Sequence, residues 1–331
     1  MIEPPDYPGK YIRHNARMAA AGVRVRLGGH PKLRKQARAA MKALGGGLGY
    51  AALIEPQWIE TTQVNIGIRD FPSSINGYKI AHLTDMHYNI AAGKNFLQRV
   101  VKKTNALDAD MVALTGDFIG SDPRKLDRCM AVLSDLRAPD GCWVVRGNHD
   151  HHTTVEHMRA ACREAGFHFI ENTHVIMKPT RRHNHRHPFV ERDDEASFAI
   201  AGVGDLWEGD CRPGLALRGL EDGKTPVVML SHNPHVLDLL LPHQRVDLVL
   251  SGHTHGGQVR PLGRHFRILC DGSTKYVSGI VENNETRVYI SRGVGTSAFR
   301  LRWNCRPEIA LIQLHRAGGT STASPTDGFS G

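Results

Sequence analysis

The chain predicts an α/β (α+β) fold: a four-layer αββα sandwich, two mixed sheets packed face to face with helices outside. Three observations lead there. Between residues 79 and 170, short apolar runs of strand type alternate with helical patterns, the sign of βαβ units and parallel strands. From 197 to 314, strand-like runs succeed one another with little helical patterning between them, which one doubly wound sheet does not explain. Four strand-type runs end on Asp, Asn or His, and the carboxyl ends of strands are where α/β sheets place their ligands.

Taken in order, residues 1–30 are rich in Pro, Gly and Arg with weak periodicity and are expected to be loosely ordered. Residues 31–44 predict a helix, with Pro31 suited to a first turn and Gly45 to a stop. Leu33, Ala37, Ala40, Met41 and Leu44 share one stripe, and Lys32, Arg34, Lys35, Arg38 and Lys42 lie off it. A basic amphipathic helix of this kind suits an anionic membrane surface, although a helix packed on its own domain has the same pattern. The uncharged run from Ala43 to Ile54 would reach only about 18 Å as a helix, against a hydrocarbon core of about 30 Å. It is too short to span a bilayer alone and lacks the placement of a signal peptide. A peripheral protein at the cytoplasmic face of the inner membrane is therefore expected.

Strands are then predicted over 58–68, 79–83, 111–115, 142–146 and 167–170, and helices over 95–105, 125–136 and 153–165. The chain changes character at the His-rich stretch 181–187, which is followed by acidic 191–195. Further strands are predicted over 197–203, 227–230, 246–250, 276–280, 287–291 and 308–314, and the Gly/Ser/Thr-rich tail from 317 is expected to be disordered. The domain reading is a basic extension over 1–55, a catalytic domain over 56–316 and a tail over 317–331.

Composition narrows the function. The net charge of +9 is concentrated in residues 1–50, which carry ten Lys or Arg against Glu3 and Asp6, so the remainder is near neutral. No strong basic field covers the body, and no nucleic-acid partner is expected. Six cysteines without CxxC spacing argue against a disulfide framework or zinc finger and fit a reducing compartment.

The chemistry lies in the strand ends. Lys79-Ile-Ala-His-Leu-Thr-Asp-Met-His87 ends on Asp85-x-His87, Val112-Ala-Leu-Thr-Gly-Asp117 on Asp117, and Trp143-Val-Val-Arg-Gly-Asn-His-Asp150 on Asn148, His149 and Asp150. His232 follows the strand 227–230, and Leu248-Val-Leu-Ser-Gly-His-Thr-His255 ends on His253 and His255. Singly, an Asp at a strand end often caps a helix, and a His beside apolar sequence is often a satisfied core residue. Packing does not demand such residues at five successive strand ends, whereas a divalent-metal site does.

Order and spacing of these five motifs resemble the calcineurin-like metallophosphoesterase superfamily over roughly residues 56–315. The resemblance implies two adjacent divalent ions, one held by Asp85, His87, Asp117 and His255, the other by Asp117, Asn148, His232 and His253. Asp117 would bridge them. Mixed N/O donors suit Mn, with Fe, Zn or Co as alternatives. Such a pair of cations lowers the pKa of a water and clamps an in-line phosphoryl transition state. His149 would face the substrate, to protonate the leaving oxygen or stabilise phosphoryl charge, with Asp150 holding its ring in one tautomer. One departure stands out: where many members carry a second Asp three positions after the bridging one, this chain has Gly120, with Asp122 nearby.

The run Tyr50–Thr61 and the stretch Gly252-His-Thr-His-Gly-Gly-Gln258 look like a bacterial branch of membrane-associated phosphodiesterases that includes a UDP-2,3-diacylglucosamine pyrophosphatase of lipid A synthesis. That resemblance implies a lipid-linked nucleotide substrate; a general or cyclic-nucleotide phosphodiesterase, a phosphoprotein phosphatase and a membrane-docking scaffold with an inactive metal site are the alternatives. Weaker candidates are Arg292 as a phosphate ligand, His151 and His152 as substrate contacts, and His183, His185 and His187, whose alternation with Arg more often marks a solvated loop.

Overall fold

Period-two alternation in the buried strands decides which surfaces meet. In the computed structural model, which describes residues 45–88, 93–180, 196–260, 275–283, 285–297 and 299–317, strand β2 (Tyr78–Leu83) turns Tyr78 and Ile80 toward a second sheet and Ala81 and Leu83 toward helices. Both faces are apolar, as expected of strands covered on two sides. Two compact units divide between Tyr50 and Ala51. Of the first, residues 45–49 are helical, and the amphipathic segment 31–44 lies outside the described residues.

The first sheet has the order β1 (Glu60–Ile68), β12 (Glu308–Arg316), β2, β3 (Met111–Thr115), β4 (Cys142–Val145) and β5 (His168–Phe169). Its pairs are parallel except β12 with β2. The second has the order β10 (Gly279–Asn283), β11 (Thr286–Ile290), β9 (Leu248–Ser251), β8 (Val227–Leu230), β7 (Phe198–Gly202) and β6 (Thr173–Met177), antiparallel only at its two edges. The two mixed sheets pack through Ile80, Ala113, Val145, Ile200, Leu230 and Leu250, among others. Phe198 meets the edge of Tyr78 at 5.1 Å, and burial of one such ring contributes roughly 1.5–3 kcal/mol.

Helices α1 (Lys94–Asn105), α2 (Leu126–Leu133) and α3 (Val155–Ala165) cover the outer face of the first sheet through Leu97, Val100, Met130, Leu133, Met158 and Cys162. Thr154 caps α3 by accepting the His157 amide at 3.1 Å, and Gly166 ends it at φ 75°, a left-handed stop that glycine adopts freely. The outer layer of the second sheet is slighter. Among the described residues it includes α4 (Pro213–Ala216), the 3-10 turn over Pro234–Asp238 and the buried Tyr276.

Several predicted boundaries shift by one to three residues. Tyr276 packs in that outer layer and donates to Asp238 Oδ1 at 2.8 Å, so β10 begins three residues after the predicted start. The edge strand β6 was not predicted: its apolar run Val175-Ile-Met177 shows no period-two alternation. The segment after Tyr50 belongs with the catalytic body, since the Ala51 carbonyl accepts the Arg302 amide at 2.9 Å. Ala317 still donates to the Ile68 carbonyl at 2.8 Å, while 318–331 lie outside the described residues.

Candidate metal centre

At the carboxyl ends of β2, β3 and β9 the backbone leaves extended geometry abruptly. Asp85 (φ 54°), His87 (φ 41°), Asp117 (φ 54°), His253 (φ 71°) and His255 (φ 50°) all occupy the left-handed region. Each such non-glycine residue costs on the order of 1–3 kcal/mol and persists only where the surroundings impose it. Backbone hydrogen bonds do the imposing: the Asp85 amide donates to the Gly116 carbonyl (3.0 Å) and the His87 amide to the Asp117 carbonyl (2.9 Å). Close approach then requires glycine at Gly147, where a Cβ would lie 2.7 Å from the Asp117 amide nitrogen and 2.8 Å from His232 Nδ1.

These turns gather the strand-end side chains into one cluster, buried apart from the half-buried Asn148 and His253. Asp117 Oδ2 lies 3.3 Å from His87 Nε2 and 3.4 Å from His232 Nε2. Asp85 Oδ1 lies 3.3 Å from His255 Nε2, which is 3.0 Å from His87 Nε2. His253 Nδ1 is 3.1 Å from Asn148 Oδ1 and 3.2 Å from His232 Nε2. Thus all seven residues expected to hold metal converge. Ligand atoms of Asp85, His87 and His255, of Asp85, Asp117 and His232, and of His87, Asp117 and His149 lie within 4.8 Å of one another in each group.

The donor set fits divalent cations. Two pairs of imidazole nitrogens face each other at hydrogen-bond distance, beside two carboxylates at 0% and 2% exposure. Such lone pairs and negative charge, taken out of water, need positive charge between them. Protonation shows the same tension. Burial pushes the Asp117 carboxyl up, yet the His232 and His87 rings hold it well below the usual carboxylate range. Burial lowers His232, and the Asp117 charge overrides that to raise it well above an ordinary imidazole. Burial and then the neighbouring His87 charge press His255 down. His232 Nδ1–H donates to the Thr115 carbonyl at 2.8 Å, which leaves Nε2 as the atom turned toward Asp117.

Two expected roles need correction. Asp150 does not hold the His149 ring. Its carboxylate accepts the amides of Asp117 (2.7 Å), Phe118 (2.9 Å), Gly147 (2.9 Å) and Ile119 (3.4 Å), fixing the Asp117 and Asn148 turns against each other. Burial, followed by the Asp117 charge, raises the Asp150 pKa to about 7. Among the described residues, His149 Nδ1 is buried without a partner, and the ring packs edge-on against His87 at 4.8 Å. Nor is Arg292 free for phosphate. Its Nη2 donates to Glu60 Oε2 (2.8 Å), Glu308 Oε1 (3.0 Å) and Thr62 Oγ1 (3.3 Å), so the guanidinium is committed to two carboxylates of the fold.

His152 reaches the His149 ring only at 6.1 Å between centroids. His183, His185 and His187 lie outside the described residues. Among the described residues, nothing lies within 4 Å of where a Cβ on Gly120 would stand.

Sequence reading missed the floor of the site. Gly293, at φ 67°, packs its bare Cα against Asp85, where a Cβ would come within 2.6 Å of Asp85 Cβ. The fully buried Arg302 holds that loop, donating from Nη2 to the carbonyls of Gly293 and Arg292 (each 2.9 Å) and from Nε to that of Gly295 (3.0 Å). The Gly-Val-Gly spacing after Arg292 was the available signal.

Comparison with known proteins agrees with this geometry. The family model described as calcineurin-like phosphoesterase matches residues 78–257. The phosphodiesterase YaeI of Escherichia coli is 31% identical over 84% of this chain and 97% of its own length. The uncharacterized metallophosphoesterase YkuE of Bacillus subtilis is 30% identical over 82% of this chain and 90% of its own. A crystal structure of a dimetal phosphatase from Danio rerio superposes with a TM-score of 0.41 at 12% identity, over 66% of this chain and 88% of that one. With the five strand ends and both sequence matches in agreement, the chain belongs to the calcineurin-like phosphoesterase family and is a metal-dependent phosphoester hydrolase.

Proposed function

We propose that the protein cleaves phosphodiester or pyrophosphate bonds with two divalent ions, manganese first among the candidates, over iron, zinc and cobalt. Asp85, His87, Asp117 and His255 would hold one, and Asp117, Asn148, His232 and His253 the other. A single observation carries this reading: one oxygen, Asp117 Oδ2, faces imidazole nitrogens from both ligand sets at 3.3 and 3.4 Å. When bound, such a pair supplies an activated water and charge neutralisation for in-line displacement at phosphorus. The chain's own contribution is orientation. Thr115 and Asp150 fix the His232 tautomer and the Asp117 turn, as described above. Burial lowers the His149 pKa to about 4, so at neutral pH its ring is uncharged. Of its two expected roles, a hydrogen bond from the ring to a phosphoryl oxygen therefore fits better than proton donation to the leaving group.

Diester preference is supported by the similarity to a protein named as a phosphodiesterase. The test is a panel of bis-p-nitrophenyl phosphate, cyclic AMP, p-nitrophenyl phosphate and a phosphopeptide on manganese-loaded protein, with elemental analysis. Two metal ions per chain and a diester rate at least about tenfold above the monoester are expected. Monoester or phosphopeptide preference, or a single metal ion, refutes the reading.

For the physiological substrate we favour a lipid-linked nucleotide such as UDP-2,3-diacylglucosamine, hydrolysed at the inner face of a membrane to UMP and a lipid monophosphate. The basic residues Lys32, Arg34, Lys35, Arg38 and Lys42 support it, as anionic lipid attracts such a cluster of positive charge. Mass spectrometry that finds neither product excludes that substrate, and unchanged liposome binding after removal of residues 1–44 excludes that mode of attachment. Among the described residues no helix is long and apolar enough to cross a membrane.

A further inference from the structure

Trp207 stands at the rim of the metal cluster, outside every motif discussed above. Its ring meets that of His253 edge to face, with centroids 4.2 Å apart and planes at 90°, yet the residue is 47% exposed. Exposed large apolar side chains are ordinary when scattered over a surface, but this one touches a member of the catalytic cluster.

The loop that carries it is held from several directions. Asp205, itself 1% exposed, accepts the amides of Trp207 (2.8 Å) and Glu208 (3.3 Å) at Oδ1. The Asp210 amide closes the turn on the Asp205 carbonyl at 3.0 Å. Asn172 donates to the Asp210 carbonyl at 2.8 Å, and Arg146 pairs with the Asp210 carboxylate at 3.3 Å. The indole is thus presented at a fixed place, so little ordering remains for a ligand to impose.

From these contacts we infer that Trp207 is a substrate-binding platform that stacks on a planar aromatic group of the diester, a nucleobase first of all. Two features select that chemistry. A single flat ring flanked by exposed Glu208 and Gly209 offers one stacking surface in polar surroundings, suited to a base with polar edges and too small to cover an acyl chain. Its position is also the complement of His149: His149 packs on His87, Trp207 on His253. The platform therefore receives a substituent of phosphorus from the His253 side of the cluster. This inference rests on the diester reading above and adds its substrate class.

The experiment compares p-nitrophenyl thymidine 5′-phosphate with methyl p-nitrophenyl phosphate, which share a leaving group, on manganese-loaded full-length protein. In Trp207→Ala the ratio of kcat/KM for the thymidine ester to that for the methyl ester falls on the order of tenfold, carried by KM, and Trp207→Phe restores most of it. A ratio that does not move, or a kcat loss shared by both esters, overturns the platform and leaves Trp207 as a prop for His253. Isothermal titration with thymidine 5′-monophosphate reads the platform without turnover. Affinity weakened about tenfold in Trp207→Ala supports it, and equal affinity overturns it. Wild-type protein that hydrolyses neither ester but binds the nucleotide through Trp207 would refute the diester reading alone.

Discussion

Gly293→Ala tests whether the floor of the site sets the position of Asp85, a candidate metal ligand. The added Cβ would lie 2.6 Å from Asp85 Cβ, 2.9 Å from its Oδ2 and 3.1 Å from its Cγ, whereas ordinary contact begins at 3.4 Å. Something must give by the difference between 3.4 and 2.6, or 0.8 Å. The loop resists, because Arg302 Nη2 holds the Gly293 carbonyl at 2.9 Å and the Arg292 amide donates to Glu308 Oε2 at 2.8 Å. Asp85 is the part expected to move, which alters its 3.3 Å approach to His255. A misplacement near 1 Å costs about a hundredfold in rate. Overpacking adds about 1–3 kcal/mol of destabilisation, and alanine at φ 67° adds about 1 kcal/mol. Two controls separate these effects. Gly166→Ala introduces the positive-φ strain with nothing within 4 Å, and Gly120→Ala introduces neither strain nor contact. Diester kcat/KM, metal per chain and thermal midpoint are measured on all three. Rate and metal content are expected to fall only in Gly293→Ala, while Gly166→Ala loses stability alone. Gly293→Ala with full metal and a rate within about threefold of wild type would refute the reasoning.

Three further outcomes are expected. Asp117→Asn removes the carboxylate that faces both ligand sets, so metal content and activity fall together, the latter by at least about a thousandfold; normal metal content by elemental analysis contradicts this. Asp150→Asn turns an amide NH2 toward backbone N–H groups and destabilises the fold by about 1–3 kcal/mol in urea unfolding, and a neutral effect counts against its role as an acceptor for four amides. His82 is buried, which lowers its pKa to about 4, while an unfolded imidazole protonates near 6.5. The unfolded state then binds more protons between those values, so this contribution is complete above about 6.5 and shrinks as pH falls toward 4, by about 3 kcal/mol. His82→Gln should flatten the urea midpoint against pH over that window, and an unchanged slope rules the assignment out.

What could be read from the chain alone follows from local rules. Strand-type runs that end on Asp, Asn and His identified all seven residues that cluster, because both the apolar run and the polar terminus are written in consecutive residues. The helices predicted over 95–105 and 153–165 form over 94–105 and 155–165, legible as helical patterns that alternate with strand-type runs. Edge strand β6 was missed although it ends on the apolar run Val175-Ile-Met177, because that run shows no period-two alternation and only Met177 of it is buried.

The roles of individual polar groups were not legible, because a side chain's partner is chosen by packing between segments far apart in sequence. Asp150 adjoins His149 in the chain, yet its oxygens lie on amides more than thirty residues earlier as well as on Gly147. Arg292 has the surroundings of a phosphate ligand until β1 and β12 bring Glu60 and Glu308 against it. Sequence by itself determined which atoms are available to bind metal and that they lie at strand ends. Only the tertiary structure decided which of them meet: His87 and His255, 168 residues apart, stand 3.0 Å from each other because two separate sheets turn the ends of β2 and β9 toward one place.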